Sequence, residues 1–243
     1  MTVTREPVVA IKSEIDRQDT TRRAKAQDLI RSAILNGYFS TGQKLVEREL
    51  CKLTGASRSI LREALVKLEA SGLIERQSYR GYRVATLNVQ KVCEIFELRA
   101  ALETLAAELF TERASPEETA ALNQAYSNLE QCITAFDLNR TRAAKQQYYD
   151  VLFSGCRNVE IRRALENIID RIYYLRSRLM QDPNRRMASL EEMRRLTEAL
   201  IKRDRVAARA ASIAHLEAAR GAVLLRMAQD EVDSKAKTTS TAI

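Results

Sequence analysis

The apolar positions near the N-terminus recur with the spacing of short helices. In the segment RAKAQDLIRSAILNG they fall on one helical face, and Gly37 follows the expected end of this first helix. The segment LVERELCKLTG would bury Val46, Leu50 and Leu53 in a second helix that stops at Gly55. The predicted buried face of the first helix consists of Ala26, Leu29, Ile30, Ala33 and Ile34.

A third helix is predicted from Ser57 to Gly72 in the segment SRSILREALVKLEASGLI. The Ser57 hydroxyl can accept a hydrogen bond from a backbone N–H that has no partner within the helix, and Gly72 is a C-terminal stop. Two short strands, LIERQ and GYRVATL, follow on either side of a polar tip at residues 78–81. Three helices followed by a small β-hairpin wing indicate a winged helix-turn-helix. The buried stripe of the third helix would consist of Leu61, Ala64, Leu65 and Leu68.

The rest of the chain has few glycines and about six segments with helical spacing, so we expect a mainly α protein with a C-terminal all-helical bundle. Ser-Pro-Glu-Glu at 115–118 is typical of a helix start, with an N-cap, a proline and two acidic residues. The predicted domains cover residues 21–87 and 88–229, and the polar ends, 1–20 and 230–243, are predicted to be mobile tails. The helical segments cover residues 89–113, 115–136, 140–155, 159–180, 189–203 and 204–229.

The distribution of charge favours a polyanionic partner for the first domain. The chain has a formal net charge of +8 and a sequence pI near 9.5. Residues 21–87 contain 13 Lys and Arg against 6 Asp and Glu, a balance of +7, so nearly all of the positive excess lies there. A basic N-terminal domain of this fold class indicates nucleic acid as the partner.

Cysteine spacing and hydropathy argue against several other classes. The four cysteines are widely spaced with no CxxC pair, so we interpret them as reduced core residues. No apolar run approaches the roughly 18–20 residues of a membrane span, and the N-terminus lacks a signal-peptide core. We therefore expect a soluble, cytoplasmic protein with no membrane partner.

The start of the third helix has the chemistry of a DNA-reading surface. Arg58 and Arg62 are four residues apart and share a face, while the leucines point into the core. Ser57 and Ser59 add hydroxyl donors beside a helix N-terminus, which favours anions. Arginine can donate two parallel hydrogen bonds to guanine, whereas serine and backbone N–H groups suit phosphate.

The alternative for these arginines is a solvated face in which Arg62 pairs with Glu63 or Glu69. We favour DNA contact because the arginines open the second helix of a helix-turn-helix and a basic tip follows at the wing position.

The segment LVERELCKLTGASRSILREALVKLEASGLIERQSYRGYRVA resembles the winged helix-turn-helix of the GntR superfamily of bacterial transcription regulators. The usual pattern of that family is close to LxExxLAxxLGVSRTPVREALxxLxxEGLV followed by a glycine-containing wing. The segment CEIFELRAALETLAAELFTERASPEE resembles the opening of the FCD domain of the FadR subfamily, so the likeness covers roughly residues 22–228. Thr41 and Ile60 stand where the family usually has proline. Because proline has no hydrogen-bond donor, these two differences remove no contact with DNA.

The resemblance implies a homodimer that reads two half-sites of a palindromic operator in double-stranded DNA. Carried over by motif, the major-groove residues are Arg48, Ser57, Arg58, Ser59 and Arg62. The wing-tip residues expected to reach toward the minor groove are Tyr79, Arg80 and Gly81.

The resemblance also implies a C-terminal bundle that binds a small organic acid, with a metal held by an Asp or Asn and three histidines. Counting along the family's motifs places Lys145 at the carboxylate position and Tyr149, Met193 and His215 at the histidine positions. An ammonium, a phenol and a thioether are poor ligands for a divalent ion, so we expect no metal cofactor. A one-residue slip would exchange Tyr149 for Asp150 without restoring a site.

The effector pocket expected in place of the metal site would offer cationic and phenolic donors to a carboxylate or phosphate. Its candidate residues are Arg99, Lys145, Tyr149, Met193 and His215. Two alternatives stay open: Arg99 and Lys145 are structural or solvated, and His215 is either a satisfied core residue or a hydrogen-bonding pocket residue.

The leading hypothesis is a regulator of transcription, a repressor by family habit, whose operator binding responds to a small effector. The alternative is an architectural DNA-binding dimer with a degenerate effector domain that does not sense a ligand. An enzyme is not expected, because the chain has no Ser-His-Asp or Cys-His constellation and no glycine-rich phosphate loop. Glu103, Glu191 and Glu192 are interpreted as carboxylates at ordinary helix positions.

Overall fold

The structure is a computed structural model that describes residues 6–78, 81–166, 168, 171, 172, 175 and 182–240. The chain divides into two compact units, and the division lies between Thr86 and Leu87. The second unit comprises residues 87–168 and 175–243, with residues 169–174 assigned to the first. Each unit has its own set of helices and is described by itself.

The first unit combines three helices with a small antiparallel sheet, which confirms the predicted winged helix-turn-helix. Its elements are α1 (Glu6–Leu35), β1 (Lys44–Leu45), α2 (Glu47–Thr54), α3 (Arg58–Ala70), β2 (Ile74–Gln77) and β3 (Gly81–Val84). The strand order is β1-β3-β2, with Ile74 opposite Val84 and Lys44 opposite Arg83. The two-residue strand β1 was not predicted, because it is too short to show an alternating pattern.

The core of the first unit lies between the helices and the wing. α3 buries Leu61, Ala64, Leu65 and Leu68, as predicted. The other apolar side chains of this core are Ile30, Ile34, Leu35, Phe39, Leu45, Leu50, Leu73, Ile74, Tyr82 and Val84.

Three predicted core positions in this unit are wrong. Leu29 is 47% exposed, Val46 38% and Leu53 40%. Val46 is the extended N-cap residue of α2 rather than part of its buried face, and Leu50 is the buried residue of this helix. Apolar spacing alone over-predicted the core of α2, because Val46 precedes the helix and Leu53 lies in its last turn.

The helix ends follow the capping rules used for their prediction. The Ser57 hydroxyl accepts a hydrogen bond from the Ile60 backbone N–H at 3.4 Å. Gly55, which closes α2, has φ +66°, and Gly72, just beyond α3, has φ +71°. Because a side chain is strained in this left-handed conformation, glycine at these positions gives a tight turn before α3 and releases the chain into the wing after it.

Regular structure extends further at both chain ends than the sequence predicted. α1 begins at Glu6, so residues 6–20 are helical rather than a tail without periodicity. The last helix likewise continues to Ser240 through most of the predicted C-terminal tail. No glycine or proline interrupts residues 8–36 or 222–243, and the parts outside the predicted helices include Lys, Ala and Glu residues, which have good helix propensity.

The second unit is helical in all its described elements, as predicted for the C-terminal bundle. The elements are α4 (Val89–Arg113), α5 (Pro116–Thr134), α6 (Leu138–Gly155), α7 (Val159–Glu166), α8 (Pro183–Ile201) and α9 (Arg205–Ser240). α9 packs against α4 and α8, and α5 packs against α6 and α8. Residues 167–180 of the predicted fourth segment lie mostly outside the described residues.

The start of α5 is confirmed in detail, and that of α8 was predicted too late. Ser115 and Glu118 form a reciprocal capping box, with distances of 2.7 and 3.2 Å. α8 begins at Pro183 rather than at Ser189, with Asp182 as its N-cap. Asp followed by Pro is the same kind of start signal, but the residues after it lack the apolar stripe on which the prediction relied.

Among the described residues, no helix combines the length and the apolar character that a membrane crossing requires.

Candidate functional site

The first candidate surface is formed by the beginnings of α2 and α3. Ser57, Arg58 and Ser59 are all exposed at the N-terminal end of α3, and Arg48 is exposed in the first turn of α2. The side chains of Arg48 and Arg58 make no hydrogen bond or ion pair with another residue that the structure describes. The predicted DNA-reading side chains are thus accessible and grouped at two helix starts.

Arg62 is held in place by the first residue of α2. Its Nε lies 3.2 and 3.4 Å from the two carboxylate oxygens of Glu47, and its Nη2 donates to Glu47 Oε2 at 3.3 Å. The expected alternative partners, Glu63 and Glu69, are not the partners observed, and Glu63 instead pairs with Arg23 at 3.1 Å. The hydrogen bond that Arg62 donates to Glu47 raises the pKa of Arg62, so the side chain stays fully charged.

The wing begins beside this surface. Gly81 opens β3 with φ +82°, a conformation that glycine adopts without strain. Tyr79 and Arg80, the other predicted tip residues, lie outside the described residues. An open cleft of about 640 Å³ separates α3 from the root of the wing, and Arg62 and Arg76 contribute positive charge to its lining. The Arg76 guanidinium lies 5.6 Å from the centre of the Tyr82 ring.

The second candidate site is a buried polar centre in the helical unit. The five predicted effector residues come from α4, α6, α8 and α9, and each is at most 5% exposed. The alternative that Arg99 and Lys145 are solvated is therefore wrong. The residues in question are Arg99, Lys145, Tyr149, Met193 and His215.

Tyr149 and His215 belong to a continuous chain of hydrogen bonds. The Tyr149 hydroxyl lies 3.3 Å from His215 Nε2, and His215 Nδ1 lies 2.7 Å from Glu192 Oε2. Glu192 in turn accepts two hydrogen bonds from Arg185, at 2.6 and 2.8 Å. This chain connects α6 to α8 through α9.

The pKa shifts in this chain define which atoms carry protons. Burial lowers the pKa of His215 to about 4 despite the hydrogen bond to Glu192, and the charges of Lys145 and Arg99 add to the lowering. Burial raises the pKa of Glu192, but its hydrogen bonds from His215 and Arg185 outweigh this and bring it to about 2. A neutral imidazole beside a carboxylate carries its proton on Nδ1 and donates it to Glu192. His215 Nε2 is then an acceptor for the Tyr149 hydroxyl.

The two buried cations on either side of this chain are also engaged. Lys145 Nζ donates to Ser189 Oγ at 2.9 Å. Arg99 Nε donates to Glu103 Oε1 at 2.6 Å, and its guanidinium lies 4.7 Å from the centre of the Phe96 ring. Burial lowers the pKa of Arg99, but Glu103 and Tyr149 more than reverse the effect. Each cation is therefore fixed by contacts from its own or a neighbouring helix.

The four side chains at the family's metal-ligand positions do not fit a divalent cation. Lys145 brings a positive charge, and the lone pair of His215 Nε2 is directed at the Tyr149 hydroxyl. Met193 is fully buried, and its backbone carbonyl accepts a 2.7 Å hydrogen bond from Thr197. Within the described part of the chain, no three His, Cys, Asp or Glu residues come together as a metal site.

Sequence reasoning missed four members of the centre. Glu103 and Glu192 were interpreted as carboxylates at ordinary helix positions, but they are the partners of Arg99 and His215. Glu103 had a local signal, since it lies four residues after Arg99 on the same helix. Ser189 had none, because its partner Lys145 is 44 positions away in sequence. Arg185 lies only 7 residues before Glu192, but the predicted start of α8 at Ser189 excluded it.

Comparisons with known proteins identify both units. Residues 22–84 match the family described as bacterial regulatory proteins, gntR family, and residues 94–218 match the FCD domain. The HTH-type transcriptional regulator YdhC of Bacillus subtilis (strain 168) is 30% identical over 187 residues, 76% of this chain and 84% of that protein.

One further sequence match and one structural match add to this comparison. The HTH-type transcriptional repressor GlaR of Escherichia coli (strain K12) is 28% identical over 145 residues, 58% of this chain and 66% of that protein. The solved structure of E. coli McbR/YncC matches with a TM-score of 0.74 at 17% identity, over 85% of this chain and 98% of that one. The structural match shows a shared fold.

Proposed function

The chain belongs to the gntR family of bacterial regulatory proteins and carries an FCD domain, and from that premise we propose that it reads a palindromic operator as a homodimer. The observation that carries this proposal is the exposed group of Arg58 and Ser59 at the capped start of α3. A helix start of this kind can enter the major groove, where arginine recognises guanine and a hydroxyl recognises phosphate.

Arg62, Arg48 and the wing complete the proposed interface. Glu47 holds the Arg62 guanidinium against α2, one turn after Arg58 on the same face of α3. Arg48 flanks this face from the start of α2, and the tip at Gly81 would follow the adjacent minor groove. Two copies of the unit would read half-sites separated by about one helical turn.

Selection of bound DNA from a random pool tests this part of the proposal. A symmetric motif with two half-sites is expected to be enriched by the wild-type protein and not by a variant with Arg58→Ala and Arg62→Ala. Recovery of unrelated sequences by the wild-type protein would contradict it and would favour the architectural DNA-binding alternative. Light scattering on the same preparation checks the expected dimer.

We also propose that the buried centre of the FCD domain binds a small organic acid and that binding changes operator affinity. The proposal is supported by two buried cations, Arg99 and Lys145, which both lower the pKa of His215 and can attract a carboxylate. An effector that prefers one arrangement of the two reading units shifts the protein toward that arrangement. Screening organic acids by thermal shift, followed by operator binding with each hit, tests this directly.

The effector site is proposed to work without a metal. The positive charge of Lys145, together with the phenol of Tyr149 and the thioether of Met193, supports this, because these groups are poor ligands for a divalent ion. Elemental analysis of the purified protein is expected to find zinc and nickel far below one equivalent. A stoichiometric metal that survives dialysis would overturn this part of the proposal.

Repression is the proposed direction of regulation, supported by the repressor among the relatives described above. A reporter promoter with the selected motif is expected to be more active when the protein is absent. Lower activity in its absence would identify an activator instead.

A further inference from the structure

Arg185 lies near the start of α8 and faces the buried centre. Its side chain is 10% exposed, and its two terminal nitrogens donate to the two carboxylate oxygens of Glu192. Ser189, one turn further along α8, accepts the hydrogen bond from Lys145. Residues four apart lie on one face of a helix, so Arg185 shares the face of α8 that carries the centre.

The pair with Glu192 does not use all the N–H donors of Arg185. A guanidinium has five N–H groups in one plane, and an end-on pair with a carboxylate uses only one edge of it. The Nε–H of Arg185 is buried and has no hydrogen-bond partner among the residues that the structure describes. Leaving a buried donor of a charged group without a partner costs free energy, which a bound acceptor would recover.

The position of Arg185 connects this donor to the rest of the centre. Glu192 accepts from both Arg185 and His215, and His215 accepts from Tyr149. A ligand bound to the second edge of the guanidinium would therefore be linked, through Arg185 itself, to the hydrogen bonds that join α6, α8 and α9. Binding at this edge would stabilise the same contacts that hold these helices together.

We propose that Arg185 is an effector-binding residue that holds an anionic group, a carboxylate or a phosphate, through its Nε–H and the adjacent terminal N–H. Both groups present two oxygens at the spacing that this planar edge requires. This inference rests on the proposed effector site and adds to it a specific residue and a geometry of recognition. Lysine cannot replace arginine in this role, because its donors radiate from a single atom.

Thermal-shift titration of the full-length protein tests the role of Arg185. The probes are sodium phosphate, succinate and citrate, each compared with sodium chloride at equal ionic strength. At least one probe is expected to raise the melting temperature of the wild-type protein, and the midpoint of the titration gives its apparent affinity. Stabilisation by phosphate alone would identify a phosphate ligand, whereas stabilisation by the organic acids would identify a carboxylate.

Three variants make the test specific. Arg185→Lys keeps the charge and removes the planar edge, and a variant with Arg185→Gln and Glu192→Gln leaves no unpaired charge behind. Both are expected to bind the probe at least about tenfold more weakly. Arg195→Gln is the matched control on the same helix, since Arg195 is 68% exposed and pairs with Glu191, and it should respond as the wild-type protein does.

Unchanged probe affinity in both Arg185 variants would overturn the inference, as would a wild-type protein that no probe stabilises beyond sodium chloride. The proposed function is tested separately by the selected DNA motif and by release of that DNA with organic acids. If an acid releases DNA from the wild-type protein and from both Arg185 variants equally, the function stands and the role of Arg185 does not.

Discussion

Arg58 is the first residue of α3, and its exposed side chain stands beside the Ser57 cap. This location follows from local rules, because an N-cap residue places the next side chain at the open, positive end of the helix. Arg58 combines an exposed planar donor with an anion-favouring helix end. These features assign it a base-reading role in the proposed interface.

Replacing Arg58 with Ala is expected to weaken operator binding by about 1–3 kcal/mol and to relax the preference for one base pair in each half-site. Lys67→Ala is the control, because Lys67 is exposed at the opposite end of the same helix. Fluorescence anisotropy with the operator and its single-base variants measures both effects. Equal losses in the two variants would show that the start of α3 does not read bases.

Glu47→Gln is expected to reduce discrimination between operator and unrelated DNA. The carboxylate of Glu47 restrains the Arg62 guanidinium, and its negative charge also opposes approach of phosphate. Its loss should strengthen binding to unrelated DNA and leave the Arg62 side chain less restrained. The dissociation constant for unrelated DNA, divided by that for the operator, should therefore fall. The same anisotropy assay measures this ratio, and an unchanged ratio would leave Glu47 without a positioning role.

His215 should make the stability of the helical unit depend on pH. Its folded pKa of about 4 lies below the ordinary value of 6.5, so below pH 6.5 the unfolded chain takes up a proton that the folded chain does not. The free energy of unfolding is therefore expected to fall by about 2 kcal/mol between pH 7 and pH 5 from this group alone. Urea unfolding at several pH values in that range measures the slope.

The matched variant for this prediction is His215→Gln, which cannot be protonated in that range. It should be less stable at pH 7 and have a flatter dependence on pH. The range stops at pH 5 because Glu192, whose pKa is lowered to about 2, loses its stabilising contribution at lower pH. A variant with the same slope as the wild-type protein would show that another group causes the pH dependence.

At the scale of elements, Gly155 allows the end of α6 to approach α4. A Cβ atom at this position would lie 2.6 Å from Cδ2 of Phe110, whose ring is buried and cannot withdraw as a flexible chain end could. Gly155→Ala is therefore expected to lower the free energy of unfolding by about 1–3 kcal/mol.

Gly221→Ala provides the opposite expectation within the same protein. Nothing lies within 4 Å of a Cβ atom added to Gly221, which is exposed in α9. The change should raise stability by about 0.5–1 kcal/mol through helix propensity. Urea unfolding of both variants measures the contrast, and a destabilised Gly221→Ala protein would indicate an unseen contact of α9.

The boundaries of helices show where local signals succeed. Ser115 with Glu118 and Ser57 with Gly72 have capping chemistry, and the structure has the corresponding helix ends. α1 and α9 extend beyond their apolar segments, because helix propensity alone continues a helix until a breaker occurs. Prediction from apolar periodicity recognises the packed part of a helix and misses such extensions.

At the scale of the whole molecule, positive charge is concentrated in the N-terminal winged helix-turn-helix. The balance of +7 within residues 21–87 is nearly the whole net charge of +8. Operator affinity should therefore fall steeply with salt, with a slope in the logarithmic plot of about 0.9 for each phosphate neutralised. Arg48→Ala should reduce this slope by about 0.9, the contribution of one phosphate contact. Arg195→Gln in the FCD domain should leave the slope unchanged.

Electrophoretic or anisotropy titrations over a range of sodium chloride concentrations measure these slopes. An equal reduction by both variants would mean that the FCD domain also contacts DNA. No reduction by Arg48→Ala would remove Arg48 from the proposed interface.

The sequence by itself determined the local structure and the charge of the first domain. Its winged helix-turn-helix, the capped start of α3 and the basic character of the first domain follow from neighbouring residues, and local rules suffice for them. The motif resemblance likewise indicated the family and pointed to the residues that would face the effector. It also led to the prediction that no metal is bound, because Lys145, Tyr149 and Met193 stand at the usual ligand positions.

Only the tertiary structure decided which charges meet in the buried centre. Arg185, Glu192, His215 and Tyr149 come from three helices, and their hydrogen bonds join residues up to 66 positions apart. Periodicity identifies the buried face of each helix, but the depth and register with which helices pack depend on all of their side chains together. The partner of each buried charge, and hence the tautomer of His215 and the spare edge of Arg185, follows from that packing.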